Sequence, residues 1–187
     1  SGLGRKGQAS QGRTVYEALT AESALEFGQF VVGTEVKGLS LVMADRNLTG
    51  AELEMVSMIA RETRLRTLVR QLRDTYDYIF IDTPPSLGLL TLNGLVAADT
   101  VIIPLHSEYF ALEGLADLVA TVRRVRASLN PQLEIEGVLL TMHDERTNLG
   151  QQVAREVREF FKEKVFETVI PRNIKLGEAP SHGIPAI

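Results

Sequence analysis

The 187-residue chain is 44% hydrophobic and 24% charged, ordinary values for a globular protein with enough chain for one full core. Its net charge of −4 gives no overall basic signature, so any nucleic-acid contact must come from a local patch. It has no cysteine, which excludes disulfides, thiolate zinc sites and cysteine-ligated iron–sulfur clusters, and no apolar run nears the roughly 20 residues of a membrane helix.

Residues 1–13 read as a Gly-, Ser- and base-rich surface loop. The formal G-x-G-x-x-G at residues 2–7 lacks the preceding strand that a dinucleotide fingerprint requires. Thr14 is a candidate helix cap, with Glu17 three residues on. Residues 39–44 suit a short strand, and Thr49-Gly50-Ala51-Glu52 has the spacing of a capping box. From Glu62 the apolar positions Leu65, Leu68, Val69 and Leu72 follow helical spacing, and the arginines at 61, 64, 66, 70 and 73 read as a solvated face.

The chain is organised around Tyr78-Ile79-Phe80-Ile81-Asp82-Thr83-Pro84-Pro85-Ser86. Tyr78 to Ile81 are β-branched or aromatic without polar interruption, which predicts a strand buried on both faces of a parallel sheet. Asp82 then stands at the carboxyl end of a strand, where open α/β sheets keep their ligand crevice. It reads either as a capping carboxylate or as a Walker B aspartate that holds a nucleotide-bound magnesium ion or its water. The two prolines turn the chain out of the sheet, and Ser86 is the expected N-cap of a helix over residues 87–97.

Beyond it the pattern predicts a strand over 100–105, a long helix over 111–129 ended by Asn130-Pro131, and a strand over 135–141. A helix over 149–162, with Val153, Val157 and Phe161 on one face, and a strand over 165–170 follow. Alternating strands and helices predict an α/β fold, a mostly parallel sheet with helices on both faces, in a single domain.

A triad of Ser86, His106 and Asp82 lacks the G-x-S-x-G elbow, and His106, His143 and His182 have no second ligand at metal-site spacing. The loops at 141–148 and 171–175 are expected on the same sheet edge as Asp82, a ligand edge. G-x-x-x-x-G-K-[ST] occurs nowhere in the 187 residues. Asp82 would have little to organise without such a phosphate cradle.

Five blocks in one order carry a resemblance: residues 82–93, beginning Asp82-Thr83-Pro84-Pro85-Ser86; Glu108-Tyr109-Phe110-Ala111-Leu112-Glu113-Gly114; residues 136–142; Arg146-Thr147-Asn148-Leu149-Gly150; and Ile170-Pro171-Arg172-Asn173 with residues 178–183. Together they resemble the ParA/Soj chromosome- and plasmid-partitioning ATPases, closely from about Tyr76 onward. The resemblance implies a P-loop-type fold that dimerises around ATP and Mg2+, binds DNA without sequence preference in that state, and hydrolyses ATP when a ParB-type partner stimulates it. It implies that Asp82 supports magnesium and that Thr83 and Pro84 begin the segment, through Gly88, that senses the γ-phosphate. Met142, Pro171, Arg172 and Asn173 resemble the adenine pocket, Glu108, Tyr109 and Glu113 the dimer interface, and Arg146 and Lys175 the DNA-contacting bases. The phosphate loop is expected before Ser1 and a final helix after Ile187, so the chain reads as a piece that would not hydrolyse ATP alone. The protein is expected to be cytoplasmic and nucleoid-associated, without a membrane partner. The alternatives are a non-hydrolysing DNA- or partner-binding module and a MinD-like cell-division ATPase.

Overall fold

A computed structural model describes residues 12–106, 111–144 and 146–183; of these, the side chains of 111–113 and 180 are not described. The chain divides into two compact units, Ser1–Ala97 with Lys175–Ile187, and Ala98–Ile174.

The first unit opens with α1 (Val15–Thr20). Thr14 and Glu17 form the expected capping box: the Thr14 backbone N–H donates to Glu17 Oε2 at 2.9 Å, and the Tyr16 N–H donates to the Thr14 hydroxyl at 3.2 Å. Strands β1 (Val31–Gly33) and β2 (Ser40–Val42) pair antiparallel, a departure from the parallel pattern, because a short turn joins neighbours in sequence. Helix α2 (Leu48–Met55) follows, then a 3-10 turn (Arg61–Thr63) entered through Ala60 at φ 54°, and α3 (Arg64–Arg70). The helical spacing read from the sequence holds here: Leu65, Leu68, Val69 and Leu72 are buried with Ala18, Leu19, Phe27, Ala51 and Met55 in one core. The arginines are less uniformly solvated than expected, since Arg64 donates to the carbonyls of Leu19 and Ala21 and ties α3 to the end of α1.

The organising segment differs most from expectation. Residues 78–81 belong to no strand, and no described residue ladders with them. Ile79 and Ile81 pack on the first core, whereas Tyr78 and Phe80 are 81% and 84% exposed, their rings stacked at 6.4 Å. The apolar run is therefore buried on one face rather than two, because burial of a central strand's second face depends on neighbours and not on its own residues. Helix α4 (Leu89–Ala97) closes the unit's main stretch, starting two residues later than predicted.

In the second unit β3 (Thr100–His106) and β4 (Glu134–Thr141) run parallel, in register from Thr100 opposite Glu134 to His106 opposite Thr141 with one shift at Val101/Ile102. The crossover between them is α5 (Ala111–Ser128), whose end is fixed where Asn130 Nδ2 donates to the Ala98 carbonyl at 2.7 Å. Helix α6 (Asn148–Phe161) is capped by Thr147, whose hydroxyl accepts the Gly150 N–H at 3.1 Å. Its stripe Val153, Ala154 and Val157 joins Ile103, Leu105, Val138, Leu140, Leu115 and Val119 in a second core. The predicted strand over 165–170 is not a regular one; isolated parallel bridges, Val138 to Val165 and His143 to Pro171, align it beside β4. Helix α7 (Ile174–Glu178) begins at the last residue of this unit, and from Lys175 on the chain belongs to the first. No helix among the described residues is long and apolar enough to cross a membrane.

Candidate functional site

Asp82 is exposed. It lines a cavity of about 1070 Å³ in the first unit, between residues 38–46 and 78–84, walled by Val15, Leu19, Phe27, Val31 and Val69. Asp45, Arg46 and Asp82 are its charged lining groups, and with two carboxylates to one guanidinium they would repel a triphosphate unless a cation lay between.

Residues 83–88 are held to α4 through Gly94 and Thr91, and the Leu92 N–H donates to the Gly88 carbonyl at 3.0 Å. The Thr83 methyl lies 2.7 Å from the position a Cβ on Gly94 would take, so the glycine is what lets the loop rest against the helix. The Thr91 hydroxyl reaches back to the carbonyls of Pro84 at 3.2 Å and Ser86 at 2.6 Å. The start of α4 is tied separately to α2, where the Leu90 N–H donates to Glu52 Oε1 at 2.9 Å. Two sequence expectations change here. Ser86 is not the N-cap, since α4 begins at Leu89 and Ser86 instead offers its carbonyl to Thr91. Thr49 and Glu52 do not form a capping box either: Thr49 lies inside α2, whose N-cap position is Asn47, and Glu52 caps a different helix.

Helix α4 is in turn anchored by Asn93, which is fully buried. Its Nδ2 donates to the carbonyls of Arg61 at 2.8 Å and Leu89 at 3.0 Å, and its Oδ1 accepts the Leu65 N–H at 3.1 Å. The amide thus satisfies groups at the start of α3 that would otherwise be buried without partners. Sequence reasoning missed Glu52, Thr91, Asn93 and Gly94. The available signal was two polar residues and a glycine inside the otherwise apolar run of residues 89–97, where an isolated helix would place none of them.

In the second unit the backbone brings Met142, Pro171 and Arg172 together: the His143 N–H donates to the Ile170 carbonyl at 3.1 Å, and the Arg172 N–H returns to the His143 carbonyl at 3.0 Å. Met142 is 52% exposed at φ 52°, a left-handed conformation that marks a sharp turn at the strand end. Asn173 follows Arg172 and is exposed. Arg146 is 89% exposed at its side chain and pairs with Asp144 through Nη2 to Oδ2 at 2.8 Å and Nε to Oδ1 at 2.9 Å. That pairing, then the Arg146 N–H and the charge of Arg172, holds the Asp144 carboxyl well below the usual carboxylate range. Lys175 is exposed on α7 and belongs to the other unit. Glu108 and Tyr109 lie outside the described residues, as does the side chain of Glu113.

The sequence profile of an AAA domain matches residues 2–135. The chromosome partitioning protein ParA of Myxococcus xanthus is 52% identical over all 187 residues, and the chromosome-partitioning ATPase Soj of Treponema pallidum is 49% identical over 185 residues, 99% of the chain. This chain belongs to the ParA/Soj family. It spans 65% of the first relative's length and 71% of the second's. Among solved structures, cobyrinic acid a,c-diamide synthase from Mycobacterium smegmatis, with bound ATP analogue and magnesium, superposes with a TM-score of 0.77 at 35% identity, covering 91% of this chain and 68% of that one. The α/β fold expected from the alternation of elements is thus the fold of this ParA/Soj chain.

Proposed function

We propose that this chain is the nucleotide-responsive part of a partitioning ATPase, with Asp82 as its magnesium-supporting carboxylate and 83–88 as the segment that responds to the γ-phosphate. The observation that carries the reading is the exposed Asp82 followed at once by a loop clamped to α4 through Thr83 and Thr91. A carboxylate next to a loop with few, identifiable attachments is what couples a bound phosphate to a movable element.

The donor set suits magnesium. No group of three or more His, Asp or Glu side chains that could hold a metal occurs among the described residues. Mg2+ commonly binds through one or two carboxylates with waters and phosphate oxygens, so Asp82 would hold it only together with nucleotide. Bound Mg2+–ATP would supply the phosphoryl group that is transferred to water. The chain's own contribution is to present Asp82 and to hold 83–88 in place. Met142, Pro171, Arg172 and Asn173 are assigned to the adenine side; the backbone bonds that join 142–143 to 170–172 support this. The phosphate loop is assigned to a part of the longer protein that this chain does not contain.

In the same reading the ATP state is a homodimer through Glu108, Tyr109 and Glu113, binds DNA on the nucleoid without sequence preference through Arg146 and Lys175, and is returned by a ParB-type partner that stimulates hydrolysis. The exposure of Arg146 and Lys175 supports their part in it. The second reading is a module that binds DNA or a partner without turnover, and G-x-x-x-x-G-K-[ST] does not occur in these 187 residues. One assay separates the two: Mg2+-dependent ATP hydrolysis by the full-length protein carrying this chain, with and without Asp82→Ala. A drop of about a hundredfold in the variant is expected for a residue that supports the ion. Equal turnover in both proteins would overturn the role of Asp82, and no turnover in either would favour the binding module.

A further inference from the structure

Glu52 lies in the middle of α2, where a carboxylate has no task for its own helix, and its side chain crosses to α4. It accepts the Leu90 N–H at 2.9 Å, one of the first-turn amides that no residue of α4 can satisfy. The negative charge is also favoured at that end by the helix dipole. A second observation is independent of that bond. A Cβ on Gly88 would come within 2.3 Å of Glu52 Oε1 and 2.8 Å of Oε2, so the carboxylate occupies the place of a side chain at 88. Gly88 has no positive φ, hence its lack of a side chain answers to the carboxylate and not to backbone strain.

We propose that Glu52 is the positioning residue of the 83–88 segment: by holding the start of α4 and filling the space at Gly88, it fixes the path along which the segment leaves Asp82. The proposal rests on reading 83–88 as the nucleotide-responsive segment. Displacement of residue 88 away from α2 breaks the Glu52–Leu90 bond, so Glu52 sets the resistance that a bound phosphate must overcome. Glu52 acts through Gly88 and Leu90 and is assigned no contact with nucleotide.

The test is a double-variant comparison in the full-length protein, using Glu52→Ala, Glu52→Gln, Gly88→Ala and the pair Glu52→Ala/Gly88→Ala. It is read by amide hydrogen exchange at 86–90 and by kcat and KM for ATP. Glu52→Ala is expected to speed Leu90 exchange about tenfold, the loss of one hydrogen bond to a charged acceptor. It should also change kcat several-fold while KM for ATP holds. Gly88→Ala should do the same, because its methyl evicts the carboxylate, and the pair should be no worse than Glu52→Ala alone, because the space is then empty. Glu52→Gln keeps an acceptor oxygen of the same reach and should restore most of the protection. Multiplying effects in the pair, unchanged Leu90 exchange in Glu52→Ala, or faster exchange with unaltered kcat would each overturn the proposal. If the unsubstituted protein hydrolyses no ATP, the functional reading falls, and the exchange at 86–88 still decides whether Glu52 positions the segment.

Discussion

The methyl group of Thr83 rests over Gly94, 2.7 Å from where a β-carbon would stand, so the helix and the loop before it can touch only because residue 94 has no side chain. Glycine inside a helix costs roughly 0.5–1 kcal/mol relative to alanine, and on propensity alone Gly94→Ala should stabilise α4. Gly94 is buried beneath the Thr83 methyl, and overpacking there costs about 1–3 kcal/mol, which outweighs that gain. Gly94→Ala is therefore expected to destabilise the protein by about 1 kcal/mol in urea unfolding. Thr83→Ser removes the methyl in question, and Thr83→Ser/Gly94→Ala should recover the loss. A Gly94→Ala variant more stable than the parent would show that the loop moves aside at no cost.

The start of α1 sets an acid limit on the first unit's stability. Burial pushes the Glu17 carboxyl up, but the hydrogen bonds it accepts from the Thr14 hydroxyl and backbone outweigh burial, and its pKa lies below the usual 4.5. A carboxylate with a depressed folded-state pKa contributes stability that is present above its unfolded value and is lost as pH falls through the folded one. Glu17→Gln keeps the acceptor and removes only the charge, so it should lower stability at pH 7 by about 0.3–1 kcal/mol and by progressively less below pH 4.5. Thermal unfolding of both proteins between pH 3 and 7 measures it. A gap between them that is constant with pH would show that the Glu17 charge is not what the cap uses.

These two sites show what was legible in the sequence. Thr14 and Glu17 satisfy each other within one turn, and the spacing predicts the box that forms. Leu65, Leu68, Val69 and Leu72 were equally readable, since a helical stripe faces the core whatever lies beyond it. Thr49 and Glu52 have the same local spacing as a box, yet Glu52 is taken by Leu90, 38 residues away, and no local pattern records that partner. Residues 78–81 fail for the related reason that their second face depends on neighbouring strands. Asn93 was readable only as an anomaly, because its three partners lie on Arg61, Leu65 and Leu89.

Arg146 and Asp144 make the most exposed prediction. A bidentate pair whose guanidinium stands in solvent contributes little to stability, but the carboxylate takes the same fork that a phosphate would take. If Arg146 contacts DNA as proposed, Asp144 competes with the backbone for it. Arg146→Ala should weaken binding to unrelated duplexes alike and lower the slope of log affinity against log salt by about one. Asp144→Asn removes the internal competitor's charge and should tighten binding severalfold. The pair of substitutions should match Arg146→Ala, apart from the general effect of one negative charge fewer. Fluorescence anisotropy with two duplexes of different sequence, across 50–200 mM salt and in the ATP state, gives all three numbers. Tighter binding in Asp144→Asn that persists in full without Arg146 would assign the effect to net charge and leave Arg146 outside the interface.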